Sequence, residues 1–176
     1  MTDYAVFLRG VNVGGINLKM ADLRAAVETL DVSKVTTLLA SGNLTCASAM
    51  SAGELKEAVE TLLRTTFGYD AWVVILEAGR LRELVAACPF PADDPATHTY
   101  ITLFSDPAAL TDLLDASAGL EPGLTVLGPE AAAWLAPRGG TLDSPLSKVA
   151  GKPQFKNSST TRNLRTLHKV LAVFNG

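Results

Sequence analysis

The sequence predicts an α+β fold of two ferredoxin-like (βαββαβ-type) halves, the second less regular, followed by a C-terminal helix. Three observations predict it. Apolar runs and helical stripes alternate as β-α-β-β-α-β over residues 4–77, the order of the split βαβ motif. A weaker β-α-β-β pattern begins again after residue 97. Between them, CPFPADDPATH carries three prolines in eleven residues, which suits a linker. The expected domains are residues 1–88 and 97–176, joined by about 89–96.

Each element has its own reason. The run Tyr4-Ala5-Val6-Phe7-Leu8, ending at Arg9, reads as a buried strand. Residues 20–30 read as a helix, because Met20, Leu23, Val27 and Leu30 follow helical spacing. Val35 to Ala40 and Leu44 to Ala47 read as strands. Ser41-Gly42-Asn43 is the turn between them, since Gly and Asn tolerate positive φ. Ser51 with Glu54 three residues on predicts a capping box. That helix runs to Phe67 with Leu55, Val59, Leu62 and Leu63 inward, and Gly68 ends it. Residues 71–76 form another strand, and residues 80–87 a helix.

In the second half, residues 98–104 read as a strand, and Pro107 opens a helix through Ala116. Residues 124–127 and 131–135 suit a short strand pair around Gly128-Pro129. Residues 137–158 are expected to be mostly loop, with one helical turn near Ser147. A last helix is expected from Thr160 or Thr161 to Phe174, with Leu164, Leu167, Leu171 and Phe174 as its apolar stripe.

Composition narrows the class. The chain has 176 residues, 48% of them hydrophobic and 19% charged. That supports a sizeable core and argues against disorder. No apolar run approaches the roughly 20 residues that span a bilayer. Asp3 and Arg9 are wrong for a signal peptide. Cys46 and Cys88 form no C-x-x-C pair and are expected to be buried thiols. Together these point to a cytoplasmic protein with no membrane partner, and to no metal and no cofactor.

Charge is unevenly placed. Residues 1–137 hold 8 Lys/Arg against 17 Asp/Glu, a net −9. Residues 138–176 hold 7 against 1, a net +6. A basic tail either packs beside the acidic body or faces phosphates. On a helix beginning at Thr160 or Thr161, Arg162, Arg165 and Lys169 fall at i, i+3 and i+7, opposite the leucines. They are the nucleic-acid candidates, with weak binding expected at low salt.

Chain direction places the ligand candidates. If the first strand runs up and the first helix down, the Gly10–Asn17 loop, that helix's N-terminus and the Ser41-Gly42-Asn43 turn share one end of the sheet. The strand of residues 4–9 then pairs antiparallel with residues 44–47. Glycines and free helix N–H groups favour an anion. The candidates are Arg9, Asn12, Gly14, Gly15, Lys19, Ser41 and Asn43, with Arg162 and Asn163 from the tail. The competing reading is a loop that satisfies its own backbone. No catalytic constellation is legible: His98 and His168 have no partner that spacing identifies, Asp93-Asp94 lies in a proline-rich loop, and Ser41 has no G-x-S-x-G elbow.

FLRGVNVGG, KMADLRAAVETL, SGN, PF after a helix and TTRNLRT occur in one order. Together they resemble the bacterial family known as domain of unknown function 1697, over nearly the whole chain. The resemblance implies a two-part α+β architecture and no established activity. It also implies an aromatic where Leu38 stands, a Gln where Ala40 stands, and Trp-Asn where Leu164-Arg165 stands. The leading expectation is a binding module for an anionic ligand, such as a nucleotide or nucleic-acid phosphate. The alternatives are an enzyme with a site built from the Gly-rich loop, the SGN turn and the TRN segment, or a structural or oligomeric protein.

Overall fold

The computed structural model describes residues 1–9, 17–68, 70–121, 123–140, 144–155 and 157–176. Asn12, Gly14 and Gly15, and with them the concave loop expected from the opening glycines, lie outside the described residues. The elements follow the order β1 (Thr2–Leu8), α1 (Met20–Val27), β2 (Val32–Leu38), β3 (Asn43–Ser48), α2 (Ala52–Phe67), β4 (Val73–Glu77) and α3 (Ala78–Ala87). Then come β5 (Thr97–Phe104), α4 (Pro107–Ala116), β6 (Thr125–Gly128), β7 (Ala131–Pro137), α5 (Pro145–Ala150), β8 (Ser159–Asn163) and α6 (Leu164–Val173). They build two four-stranded antiparallel sheets, ordered β2-β3-β1-β4 and β6-β7-β5-β8. Read from its first strand, each sheet has the same arrangement: the first strand lies between the third and the fourth. This is the ferredoxin-like order, made twice.

By proximity of the backbone the chain forms two units, Met1–Arg82 with Lys169–Gly176, and Glu83–His168. The boundaries fall inside α3 and α6.

In the first unit β1 pairs antiparallel with β3, as expected, in a register that sets Tyr4 opposite Cys46 and Val6 opposite Leu44. These four share a face of the sheet, because side chains alternate along a strand. Leu23 and Val27 of α1 and Leu55, Val59 and Leu63 of α2 bury against that face. The α2 ends follow the sequence. Ser51 and Glu54 form the reciprocal capping box, and Gly68 closes the helix at φ 69°. Glu60 is buried on α2 but bonded to Lys56 and Arg64. Those cations in turn donate to the carbonyls of Val73 and Ala71, which ties α2 to the start of β4.

Two boundaries differ from expectation for a local reason. β2 starts at Val32 rather than Val35 because its register shifts between Ser33 and Thr36. Lys34 takes φ 53° there, so a bulge carries polar residues into the strand. α1 stops at Val27, and Thr29 folds its hydroxyl back to the Ala26 carbonyl.

In the second unit β5 is central, with β7 on one side and β8 on the other. α4 opens with Pro107 after the Asp106 cap, and Ser144 caps the short α5. Phe104, Leu110, Leu113, Ala132 and Phe155 form one cluster of this core. The larger correction lies here. Ser159–Asn163 is a strand, and α6 begins only at Leu164. The polar run reads like a helix start, but its β-branched threonines suit an edge strand. The Thr161 hydroxyl bonds that of Thr102 across the pair, at 2.8 Å.

Candidate anion site

The first unit places Arg9, Ser41 and Asn43 at one end of its sheet. The Leu8 N–H donates to the Gly42 carbonyl and the Arg9 N–H to that of Trp72, at 2.9 and 3.1 Å. The end of β1 is thus pinned between the β2–β3 turn and the entry to β4. Asn43 is fully buried. Its amide nitrogen donates to the Leu38 carbonyl at 2.9 Å and to the Ser41 hydroxyl at 2.8 Å. Both amide hydrogens are therefore spent on holding the turn. Arg9 is half-buried, and burial lowers its pKa. Lys19 occupies the N-cap position of α1, where its side chain caps nothing, and it is exposed. In this turn the Asn43 amide thus holds both the Leu38 carbonyl and the Ser41 hydroxyl.

The second unit draws a different set together. Arg162 is on β8, not on the terminal helix. It is buried, and its guanidinium donates to the Thr160 hydroxyl at 2.6 Å and the Thr161 carbonyl at 3.0 Å. The expected stripe of Arg162, Arg165 and Lys169 on one helix therefore loses its first member. Arg165 and Lys169 remain on adjacent turns of α6. Asn163, the last residue of β8, accepts the Arg165 backbone N–H at 2.9 Å through its side-chain oxygen. A side chain accepting from the second N–H of a helix is the usual N-terminal cap.

Strand register brings His98 to this point. Asn163 lies opposite Tyr100, and His98 is two residues back on the same face of β5. The His98 Nδ1 is 3.5 Å from the Asn163 amide nitrogen and 3.4 Å from the Arg165 guanidinium. Arg138 follows β7 directly. Its N–H donates to the Ala96 carbonyl and its Nε to that of Asp94, at 3.1 and 2.8 Å. Desolvation lowers the pKa of His98, and the charges of Arg138 and Arg165 lower it further. The Tyr100 ring meets His98 edge-on at 5.9 Å and stacks on Trp134 at 4.9 Å. Among the described residues neither Arg138 nor Arg165 forms an ion pair with a carboxylate. No group of three or more His, Cys, Asp or Glu among them is placed to hold a metal ion.

Sequence reasoning singled out Asn163 and Arg165 but missed that His98 and Arg138 join them. The signal is strand register: His98 and Arg165 are 67 residues apart, and only the β5–β8 pairing makes them neighbours. The same pairing withdraws Arg162 to the opposite face from Asn163.

The sheet orders and pairings define an α+β protein built from two ferredoxin-like sheets. The model of the family described as "Protein of unknown function (DUF1697)" matches residues 1–125, and the chain belongs to that family. Among solved structures, the conserved bacterial protein SP0830 from Streptococcus pneumoniae is similar, with a TM-score of 0.81 and 21% sequence identity over 98% of each chain. At that identity the likeness concerns the fold alone. No curated protein matches the sequence. Among the described residues no helix is long and apolar enough to cross a membrane.

Proposed function

We propose that the protein is a binding module for an anionic ligand, with the oxyanion taken up by Arg138, Arg165 and Asn163 beside His98. One observation carries this reading. The Arg165 guanidinium lies 3.4 Å from the His98 ring, Arg138 follows two residues after Ala136, the β7 partner of His98, and among the described residues neither arginine meets a carboxylate. A pair of neighbouring cations attracts a compact anion, and arginine suits phosphate or carboxylate geometry. The class includes the phosphate of a nucleotide.

The test is thermal stability at low ionic strength with inorganic phosphate, sulfate and nucleotides. A ligand bound only by the folded state raises the melting temperature with its concentration. The expected result is such a rise, abolished in the double variant Arg138→Ala/Arg165→Ala. No stabilisation of the wild type by any of these anions overturns the reading. Nucleic-acid phosphate is a version of the same chemistry. It predicts binding that falls steeply with salt, through counterion release.

A further inference from the structure

We infer that this site binds its anion together with a proton, His98 standing neutral between Asn163 and Arg165 in the free protein and becoming the third cationic donor when the anion arrives. The inference rests on the anion reading above. It begins with Asn163. Its side-chain oxygen is occupied by the Arg165 backbone N–H, so its amide nitrogen is the atom turned to His98. That nitrogen only donates, and so does the Arg165 guanidinium at the same ring atom. His98 Nδ1 must therefore be an acceptor, and the ring proton sits on Nε2.

A second proton can add only at Nδ1. There it meets two donors that would have to turn away, beside two positive charges. The groups around the ring come from every neighbouring element: Arg165 from α6, Asn163 from β8 and the Tyr100 ring from β5 itself, with the charge of Arg138 acting from beyond β7. Asp94, before β5, directs its carboxylate to the Ala96 N–H and its carbonyl to Arg138. The lowered pKa of His98 agrees with this arrangement.

An oxyanion bound by both arginines changes each of these terms. It neutralises their field and draws the Arg165 hydrogens away from Nδ1. The imidazole then takes one proton from solvent and gains a favourable charge partner. Affinity should rise as pH falls, and by linkage the bound anion should raise the titration midpoint of His98.

The experiment is an NMR titration of the His98 ring in the whole protein, with and without saturating sulfate, whose charge is constant across the neutral range. His168 is the other histidine, and His168→Gln leaves one signal. The free midpoint is expected below the ordinary 6.5 and is expected to rise with sulfate. A rise of about one pH unit corresponds to about tenfold tighter binding at the acid end. His98→Gln should bind sulfate with no such pH dependence. If sulfate stabilises the wild type but not Arg165→Ala, and the midpoint stays fixed, the proton linkage is wrong while the anion site stands. A free midpoint at or above 6.5 also overturns the linkage. If no anion stabilises the wild type, both ideas fall.

Discussion

Trp134 stands directly opposite Tyr100 across the β5–β7 pair and stacks on it, with ring planes 28° apart. The indole nitrogen donates to the Thr102 hydroxyl at 3.0 Å, and Thr102 in turn meets Thr161 of β8. One side chain therefore links three strands. Trp134→Ala should destabilise the protein by about 3–5 kcal/mol, because it opens a cavity in a buried layer. Trp134→Phe keeps a ring and leaves Thr102 bonded to Thr161, so its loss should be on the order of 1 kcal/mol. Urea unfolding of both variants checks the difference. Equal losses would mean that the lost hydrogen bond, rather than packing, dominates at this position.

Leu39 offers a gain. It turns with φ 57° while its side chain is 46% exposed. The left-handed conformation is unfavourable for an L-residue by roughly 1–2 kcal/mol, and little burial offsets it here. Leu39→Asn should stabilise the protein by about 0.5–1 kcal/mol, since Asn tolerates this region. At this chain length that is a rise of a few degrees in melting temperature. An unchanged or lower melting temperature would mean that the side chain makes contacts that offset its strain.

The α2 capping box links stability to pH. Ser51→Ala should cost about 1 kcal/mol at neutral pH. The Ser51 backbone N–H, then its hydroxyl, hold the Glu54 carboxyl below its ordinary 4.5. A depressed carboxyl pKa contributes stability above the unfolded value and loses it as pH falls through the folded one. Glu54→Gln, which removes the charge and leaves Ser51 in place, should therefore carry a penalty that shrinks as the pH drops below about 4.5. Denaturant midpoints at neutral and acid pH measure it, and a constant penalty counts against the reciprocal bond.

The two thiols should differ in reactivity. Burial, and then the charge of Asp3, push the Cys46 pKa up to about 11. Cys88 is only partly buried, though burial raises its pKa as well. A thiol reagent at mildly alkaline pH should modify Cys88 first, and Cys46 only as the protein unfolds. The neutral Cys46 thiol is favoured in the fold, so its contribution is present below the ordinary 9.0 and is lost as pH rises toward 11. Mass spectrometry of the labelled protein after brief exposure distinguishes the two sites. Rapid native labelling of Cys46 would contradict the argument.

Much of the first unit was legible because its signals are local. The Ser51–Glu54 box, the Gly68 stop and the leucine spacing of α2 each lie within a few residues, and chain direction alone predicts that β1 runs antiparallel to β3. β8 was misread because Ser-Thr-Thr-Arg-Asn makes equal sense as a helix cap and as a polar edge strand, and only pairing with β5 decides. The His98 cluster was illegible for a related reason. Its members sit on β5, beyond β7, and across the junction of β8 and α6, and strand register is a property of the folded sheet. The hydrophobic pattern that specifies which face is buried says little about which polar residues meet at a strand's end.

The boundary inside α6 has a consequence for biosynthesis. Residues 169–176 belong to the first unit, yet they leave the ribosome after all of the second. The Arg82 guanidinium reaches the Asn175 side-chain oxygen at 3.5 Å across 93 positions of chain. During translation the first sheet can pair as soon as residue 77 has emerged, but its unit waits for the last turns of α6. The second unit, continuous from Glu83 to His168, has no such delay. Completion of the earlier-made unit therefore follows synthesis of the later one, and the nascent chain carries it unfinished while the later one closes.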